Sequence, residues 1–253
     1  MGELNSTKPR LTPQEVPQFS QYAARSLNAM ALQSGTTVQD LIERFQKEPV
    51  TREAIRSRLE KIDDPEMLDM VMRQLRREVM TTLIVRDLTA HADFHEVVGT
   101  VTALAEETVS AAVRVHSRKL AQRFGVPVGV SGEPQDLLVV GMGKLGGEEL
   151  NVSSDIDLVF VYDEGGETQA IGEFASARRQ VTNHEFFDRL ARRVIASINE
   201  IDGTGFVFRV DMRLRPFGDS GPLVISSAML EEYLYSEGRD WERFAWLKGR
   251  VVN

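Results

Sequence analysis

Two aspartates separated by one residue, Asp155 and Asp157, have the types and spacing that best fit catalytic chemistry in this chain. They begin the stretch DIDLVFVY, whose β-branched and aromatic residues predict a strand over 155–162. Alternate residues of a strand point to the same face, so the two carboxylates project together across roughly 6.5 Å. Adjacent carboxylates repel each other, and hard divalent cations neutralise them. The pair therefore predicts a metal site that could act on a phosphate group.

A second motif overlaps this region and predicts different chemistry. Gly141, Gly143 and Gly146 match the G-x-G-x-x-G turn that binds dinucleotides at the start of a helix. That helix needs about three turns, whereas seven residues separate Gly147 from Asp155. The segment is too short for such a helix, and the carboxylate interpretation is favoured.

The segment GFVFRVDMRLRP supplies a candidate for a third carboxylate, Asp211. Its alternation predicts a strand over 205–214 with an apolar face and a polar face. Taken alone, Asp211 fits a surface ion pair as well as it fits a metal ligand. Beside Asp155 and Asp157 the metal-ligand interpretation is favoured, and the arginines become candidate ligands of phosphate oxygens. The apolar face comprises Phe206, Phe208, Val210, Met212 and Leu214, and the polar face comprises Arg209, Asp211, Arg213 and Arg215.

Helix signals dominate the first 125 residues, and strand signals follow a linker rich in proline and glycine at 126–134. The capping residues predict four helices, which start at Thr12 (to about residue 33), Thr51 (to about 62), Asp64, and Asp93 (to about 125). Beyond the linker we predict strands over 137–140, 155–162 and 205–214, and a helix over 183–199. We therefore expect a helical region over residues 1–130 and a second domain over 131–253.

Composition limits the classes of function. The net charge of −8 argues against a nucleic-acid partner, because binding to the phosphate backbone needs a dense basic surface. The sequence has no cysteine, which excludes disulfides and thiolate metal sites and favours a cytoplasmic location. It has no secretion signal and no run near 18 apolar residues, so we expect no membrane partner.

Longer strings carry a resemblance to known proteins. The glycine turn, the Asp-x-Asp pair and the later Asp resemble the nucleotidyltransferase superfamily that includes DNA polymerase β. More specifically, GMGKLGGEELNVSSDIDLVFVY, FRVDMRLRPFGDSGPLV and GRDWERFAWLKGR resemble the glutamine synthetase adenylyltransferase family. The resemblance implies an α+β fold, in which an N-terminal helical bundle precedes a polymerase-β-like nucleotidyltransferase domain with a small mixed sheet.

Members of that family carry two nucleotidyltransferase copies with opposite activities. The first removes AMP from an adenylyl-tyrosine of glutamine synthetase by phosphorolysis, in which inorganic phosphate is the nucleophile and ADP is released. The second attaches AMP from ATP. The string LNVSSD, and its distance from the N-terminus, resemble the first copy. Two alternatives remain open: an adenylyltransferase acting on a protein tyrosine, and a non-catalytic module that docks glutamine synthetase or the PII signal protein.

The resemblance also assigns residues and an expected extent. Asp155 and Asp157 would bind two Mg²⁺ ions, and Asp211 one of them. The family continues beyond the point matching residue 253, so we expect a nucleotidyltransferase domain that is shortened and ends in an unfinished helix. The predicted phosphate- and nucleotide-binding residues are Gly146, Gly147, Ser154, Lys144, Arg213 and Arg215.

Overall fold

The computed structural model describes residues 11–253, which form ten α-helices and seven strands. The helices are α1 (Val16–Phe19), α2 (Gln21–Ser34), α3 (Val38–Lys47), α4 (Arg52–Leu59), α5 (Pro65–Leu88), α6 (Phe94–Phe124), α7 (Gly143–Gly146), α8 (Asn183–Asn199), α9 (Ser227–Ser236) and α10 (Asp240–Trp246). The strands are β1 (Val126–Pro127), β2 (Leu138–Met142), β3 (Ile156–Tyr162), β4 (Thr168–Gln169), β5 (Val210–Asp211), β6 (Val224–Ser226) and β7 (Arg250–Val251).

Side-chain caps set the starts of three helices in the first half of the chain. Thr51, Asp64 and Asp93 each accept a hydrogen bond from the backbone amide three residues further on. Each bond satisfies an amide that has no partner within its helix. Gly125 ends α6 with a φ of 82°, a conformation that glycine adopts without strain. The predicted starts of α4, α5 and α6, and the end of α6, are confirmed.

Two helices near the N-terminus differ from the prediction. The single helix predicted over 12–33 is wrong, because Ser20 has an extended backbone and its side chain caps a new helix, α2. Helix α3 is absent from the prediction, although Thr37 and Asp40 form a reciprocal capping box at its start. The Thr-x-x-Asp spacing is the signal that would have identified it.

Helices α5, α6 and α8 supply most of the helical core. On α8 the apolar residues Phe187, Leu190, Val194 and Ile198 recur at three- and four-residue steps and are buried. Most of the apolar residues of α5 and α6 are buried as well. Among the helices described between residues 11 and 253, none combines the length and the apolar character needed to cross a bilayer.

A five-stranded mixed sheet lies beside these helices. Strands β2 and β3 pair antiparallel, and β7 pairs antiparallel with the other edge of β2. Both β5 and β6 pair in parallel with β3 on the edge away from β2. A dinucleotide-binding unit needs a parallel crossover directly after its glycine turn, which the antiparallel β2–β3 pair excludes. The architecture is α+β with a small mixed sheet, as predicted.

Strand β3 separates two apolar clusters. Its even-numbered residues, from Ile156 to Tyr162, lie in the large core with α6 and α8. Val159 and Val161 lie in a smaller cluster that includes residues of α9 and α10. Because side chains alternate along a strand, Asp157 is on the face of Val159 and Val161. Asp157 therefore lies on the opposite face of β3 from the large core.

One core extends across the boundary predicted at residue 130. Leu104 of α6, Phe160 of β3 and Phe187 of α8 belong to the same buried cluster. Packing between these side chains therefore fixes the sheet against the helices. The division into regions 1–130 and 131–253 stays a prediction.

The last residues of the chain complete an edge of the sheet. Helix α10 ends at Trp246, and β7 follows it after a turn. The Asn253 side chain donates to the Leu137 carbonyl and accepts from the Val139 amide, both at 2.7 Å. The unfinished helix expected after Leu247 is therefore wrong. An extended segment can pair its backbone with the free edge of β2, whereas a helix cannot.

Candidate active site

Asp157 and Asp211 are paired residues on the neighbouring parallel strands β3 and β5. Paired positions on adjacent strands project to the same face of a sheet, so the two carboxylates lie side by side. Partial burial raises the pKa of the Asp157 carboxyl, and the negative charge of Asp211 raises it further. The strand pairing thus brings the candidate third carboxylate, Asp211, beside Asp157.

Asp155 directly precedes β3 and is held by Arg209, which directly precedes β5. The Arg209 Nε atom donates to Asp155 Oδ1 at 2.5 Å, and its Nη2 atom donates to the Ser153 carbonyl at 3.3 Å. The backbone joins the same strands, because the Ile156 N–H donates to the Arg209 carbonyl at 2.9 Å. The Asp155 side chain is 48% exposed. Asp155 therefore lies at the open edge of the site.

Arg213 neutralises Asp211. Its backbone N–H donates to Asp211 Oδ1 at 2.9 Å, and its Nε atom lies 3.0 Å from Oδ1 and 2.8 Å from Oδ2. These hydrogen bonds lower the pKa of the Asp211 carboxyl, which therefore stays ionised. The Arg213 side chain is 79% exposed, so it holds Asp211 while remaining open to an anion from solvent.

The three carboxylates fit a hard divalent cation by their chemistry. Across residues 11–253, no three acidic, histidine or cysteine side chains gather closely enough to hold a metal ion. The guanidinium groups of Arg209 and Arg213 occupy oxygens of Asp155 and Asp211 instead. A set of carboxylate oxygens is nevertheless what Mg²⁺ prefers, and partial burial together with the charge of Asp211 raises the pKa of the Asp157 carboxyl. Metal binding by these residues stays a prediction.

The strand predicted over 205–214 is wrong in its extent. Strand β5 comprises two residues, and the backbone then turns, with the Arg215 N–H donating to the Met212 carbonyl at 3.2 Å. Val207 and Phe208 are both buried, which breaks the predicted alternation. The chain returns to the same edge of β3 only at β6. The chain therefore leaves the sheet directly after Asp211, and the following arginines lie on a loop.

The glycines of the turn have structural roles that the sequence analysis did not predict. A Cβ atom at Gly146, which is buried, would collide with the carbonyl oxygens of Lys248 and Gly141. The Gly147 amide donates to the Gly143 carbonyl at 3.1 Å, next to the single turn of α7. Gly146 is therefore required for close packing, and the Gly147 amide already has a partner. Phosphate binding by these two glycines stays a prediction.

Gly143 is the glycine that faces the carboxylates. It has a φ of +53°, and a Cβ atom there would lie 2.8 Å from Asp157 Oδ2. Its neighbour Met142 is paired with Asp157 in the β2–β3 ladder, which brings the turn to this position. Spacing along the chain does not predict this contact between Gly143 and Asp157, because the register of β2 against β3 creates it.

The remaining predicted phosphate-binding residues are dispersed around the carboxylates. Lys144 is exposed on α7, and its positive charge acts on Asp157. The Ser154 Oγ atom accepts a hydrogen bond at 3.1 Å from a backbone amide of its own turn. The Arg215 side chain is largely buried, and its Nη1 atom donates at 2.7 Å to a carbonyl of its own loop. The structure thus brings Lys144 and Arg213 to the carboxylates, while Arg215 holds the loop.

The model of the family described as glutamate-ammonia ligase adenylyltransferase matches residues 14–253, which include all three carboxylates. This chain belongs to the glutamate-ammonia ligase adenylyltransferase family. The family resemblance inferred from the sequence motifs is confirmed.

Several relatives in the glutamate-ammonia ligase adenylyltransferase family carry the name bifunctional glutamine synthetase adenylyltransferase/adenylyl-removing enzyme. The one from Burkholderia mallei is 47% identical over 241 residues, which cover 92% of this chain and 25% of the relative. The one from Chromobacterium violaceum is 48% identical over 236 residues, covering 93% of this chain and 25% of the relative. The one from Ralstonia nicotianae is 53% identical over 191 residues, which cover 75% of this chain and 19% of the relative. The chain thus spans a quarter or less of the length of these relatives.

Proposed function

We propose that this chain catalyses the metal-dependent removal of AMP from an adenylyl-tyrosine of glutamine synthetase by phosphorolysis. The observation that carries the proposal is the pairing of Asp157 with Asp211 beside the glycine turn. An oxygen of inorganic phosphate forms a bond to the AMP phosphorus, and the bond from that phosphorus to the tyrosine oxygen breaks. The products are ADP and the free tyrosine, whose oxygen takes up a proton.

In this proposal Asp155, Asp157 and Asp211 would hold Mg²⁺. When bound, the ions would stabilise charge on the attacking and leaving oxygens of an in-line displacement. The proposal is supported by three carboxylates that bring only oxygen donors, two of which, Asp157 and Asp211, are paired on neighbouring strands. Arg209 and Arg213, which now hold two of the carboxylates, would become available to phosphate oxygens.

The cationic side chains around the carboxylates fit an anionic nucleophile. Inorganic phosphate arrives already charged, so it requires alignment and charge neutralisation rather than a strong general base. Lys144 and Arg213 are exposed beside Asp157 and Asp211, where they can attract an incoming anion. The exposed edge at Asp155 leaves room for a protein-bound tyrosine to approach.

A release assay tests the proposal. The chain is incubated with adenylylated glutamine synthetase, Mg²⁺ and phosphate, and ADP is measured by chromatography. We expect ADP release that requires both phosphate and Mg²⁺, and that falls at least about a hundredfold in Asp157→Asn and Asp211→Asn. Asp188→Asn is a matched control, because Asp188 lies on α8 in a surface pair with Arg192.

The same assay separates the alternatives. AMP incorporation from ATP into unmodified glutamine synthetase, without phosphate-dependent release, would support the adenylyltransferase function instead. Tight binding to glutamine synthetase with neither reaction would support a non-catalytic docking module. Regulation by the PII signal protein, use of ATP and a cytoplasmic location stay predictions from the sequence resemblance.

A further inference from the structure

A cavity of about 270 Å³ lies next to Asp155, between helices α2 and α5 and the segment that leads into β5. Its walls are mostly apolar. A cavity of this size takes a flat fragment of a ligand rather than a whole nucleotide or peptide. The side chains on which the argument rests are Tyr22, Arg76, Met80, Ile84, Phe206 and Arg209.

Positive charge is concentrated around this cavity and the recess that shares its walls. A second recess shares Tyr22, Arg76 and Phe206 with the cavity and opens beside it. Among the described residues that line the two recesses, five are arginines and one is acidic, in a chain of net charge −8. The single acid, Asp202, is paired with Arg73 at 3.2 Å. The excess of arginine around the two recesses of an acidic protein would attract an anion.

Arg76 is placed to bind that anion. Its guanidinium lies 4.6 Å from the centre of the Phe206 ring, and its Nη1 atom donates to Tyr22 Oη at 3.3 Å. Its Nε atom is buried and has no hydrogen-bond partner in the part of the chain that the structure describes. A buried donor without a partner is costly, and an anionic oxygen at this position would satisfy it.

Arg209 connects the cavity to the candidate active site. It lines the cavity, and the same guanidinium holds Asp155 through Nε at 2.5 Å. An anion that binds Arg209 from the cavity side would compete with Asp155 for this guanidinium. Release of Asp155 would return a free carboxylate to the metal site, so occupancy of the cavity and assembly of the metal site are coupled.

We propose that this cavity is the subsite for the base of the adenylyl group, with Arg76 and Arg209 at the phosphate. The proposal rests on the proposed function, because it places the nucleotide of that reaction. The apolar walls and the Phe206 ring bury the flat base, while the guanidinium groups bind the phosphate oxygens at the cavity mouth.

Calorimetric titration of the chain with ADP and with inorganic pyrophosphate, in the presence of Mg²⁺, tests this placement. We expect Arg76→Met to weaken the binding of both ligands at least tenfold. Phe206→Leu is expected to weaken ADP binding at least fivefold and to leave pyrophosphate binding within twofold of wild type. The matched control is Arg192→Met, which removes an arginine from a surface pair on α8.

Thermal melting followed by circular dichroism checks that each variant is folded. If Arg76→Met does not fold, Phe206→Leu still tests the placement. The placement is overturned if wild type binds no ADP, or if the folded variants bind ADP as wild type does. It is also overturned if Phe206→Leu weakens pyrophosphate as much as ADP. Phosphate-dependent ADP release that persists in those cases would leave the proposed function standing without this subsite.

Discussion

Arg250, in the last strand of the sheet, donates a hydrogen bond to Glu106, which is buried in the middle of α6. Arg250 also donates to the carbonyls of Leu145 and Gly146 in the glycine turn, at 3.2 Å and 3.3 Å. Arg52 of α4 holds the same Glu106 carboxylate from the other side. A single buried carboxylate thus links two helices, the edge strand and the turn beside Asp157.

Replacement of Glu106 by Gln is expected to lower the free energy of unfolding by about 2 kcal/mol. The buried carboxylate pairs with two guanidinium groups, and Glu106→Gln removes that shared charge, although Arg52 keeps its pair with Glu107 at 3.2 Å. The effect is smaller than for a fully buried pair, because both arginines are about one-third exposed. Urea unfolding measures the change, and a shifted midpoint with an unchanged slope would support it.

Glu185→Gln is the control for this experiment. Glu185 pairs with Arg189 on the surface of α8, and such pairs contribute at most about 0.5 kcal/mol. Equal shifts in the two variants would show that the Glu106 network carries no special stabilisation.

Asp157→Asn is expected to raise the melting temperature by about 1–3 °C while it abolishes activity. The pKa of Asp157 is raised in the folded state, so the ionised carboxylate costs stability at neutral pH. This cost disappears as the pH falls through the folded pKa, and Asn removes it at every pH. The gain over wild type should therefore be largest near pH 7 and should shrink in acid.

Asp155→Asn provides the comparison, since Asp155 is exposed and paired with Arg209. Removal of the Asp155 charge should not raise the melting temperature. Calorimetry without added metal measures the melting temperatures of both variants. Stabilisation by Asp155→Asn alone would contradict the assignment of the unfavourable charge to Asp157.

Gly146→Ala is expected to destabilise the fold by about 3 kcal/mol, because the new methyl group has no room beside two backbone carbonyls. Gly99 provides the opposite case, since it lies inside α6 and a Cβ atom there would meet nothing within 4 Å. Gly99→Ala should stabilise by up to about 1 kcal/mol through helix propensity. Denaturant unfolding measures both changes, and a neutral Gly146→Ala would refute the packing role.

The buried imidazole of His116 should make stability depend on pH. Its Nε2 atom contacts Ser197 Oγ at 2.6 Å, and burial lowers its pKa from 6.5 to about 4. The unfolded state therefore binds the proton more readily, so stability falls as the pH drops from about 6.5 towards 4. The loss attributable to this group is on the order of 3 kcal/mol at 1.36 kcal/mol per pKa unit.

Urea unfolding at pH 7 and pH 4.5 tests this dependence by comparing wild type with His116→Gln. The variant should lose much of the pH dependence, whatever its stability at pH 7. His95→Gln serves as the control, because His95 is exposed. An identical pH response in wild type and His116→Gln would contradict the prediction.

The sequence by itself determined the features that depend on neighbouring residues. Capping at Thr51, Asp64 and Asp93 is a contact over three residues, so it can be read directly from spacing. Alternation along β3 separates Asp157 from the core face for the same local reason. The long motif strings were sufficient to predict the family to which the chain belongs.

The tertiary structure decided which distant groups meet. The register of β2 against β3 puts Gly143, rather than Gly146, against Asp157. Packing of Gly146 under Lys248 joins residues about a hundred positions apart, and the chain leaves β3 after Asp211 although the alternating pattern continues. Such contacts depend on how whole elements pack, and the local residue pattern is compatible with several arrangements of them.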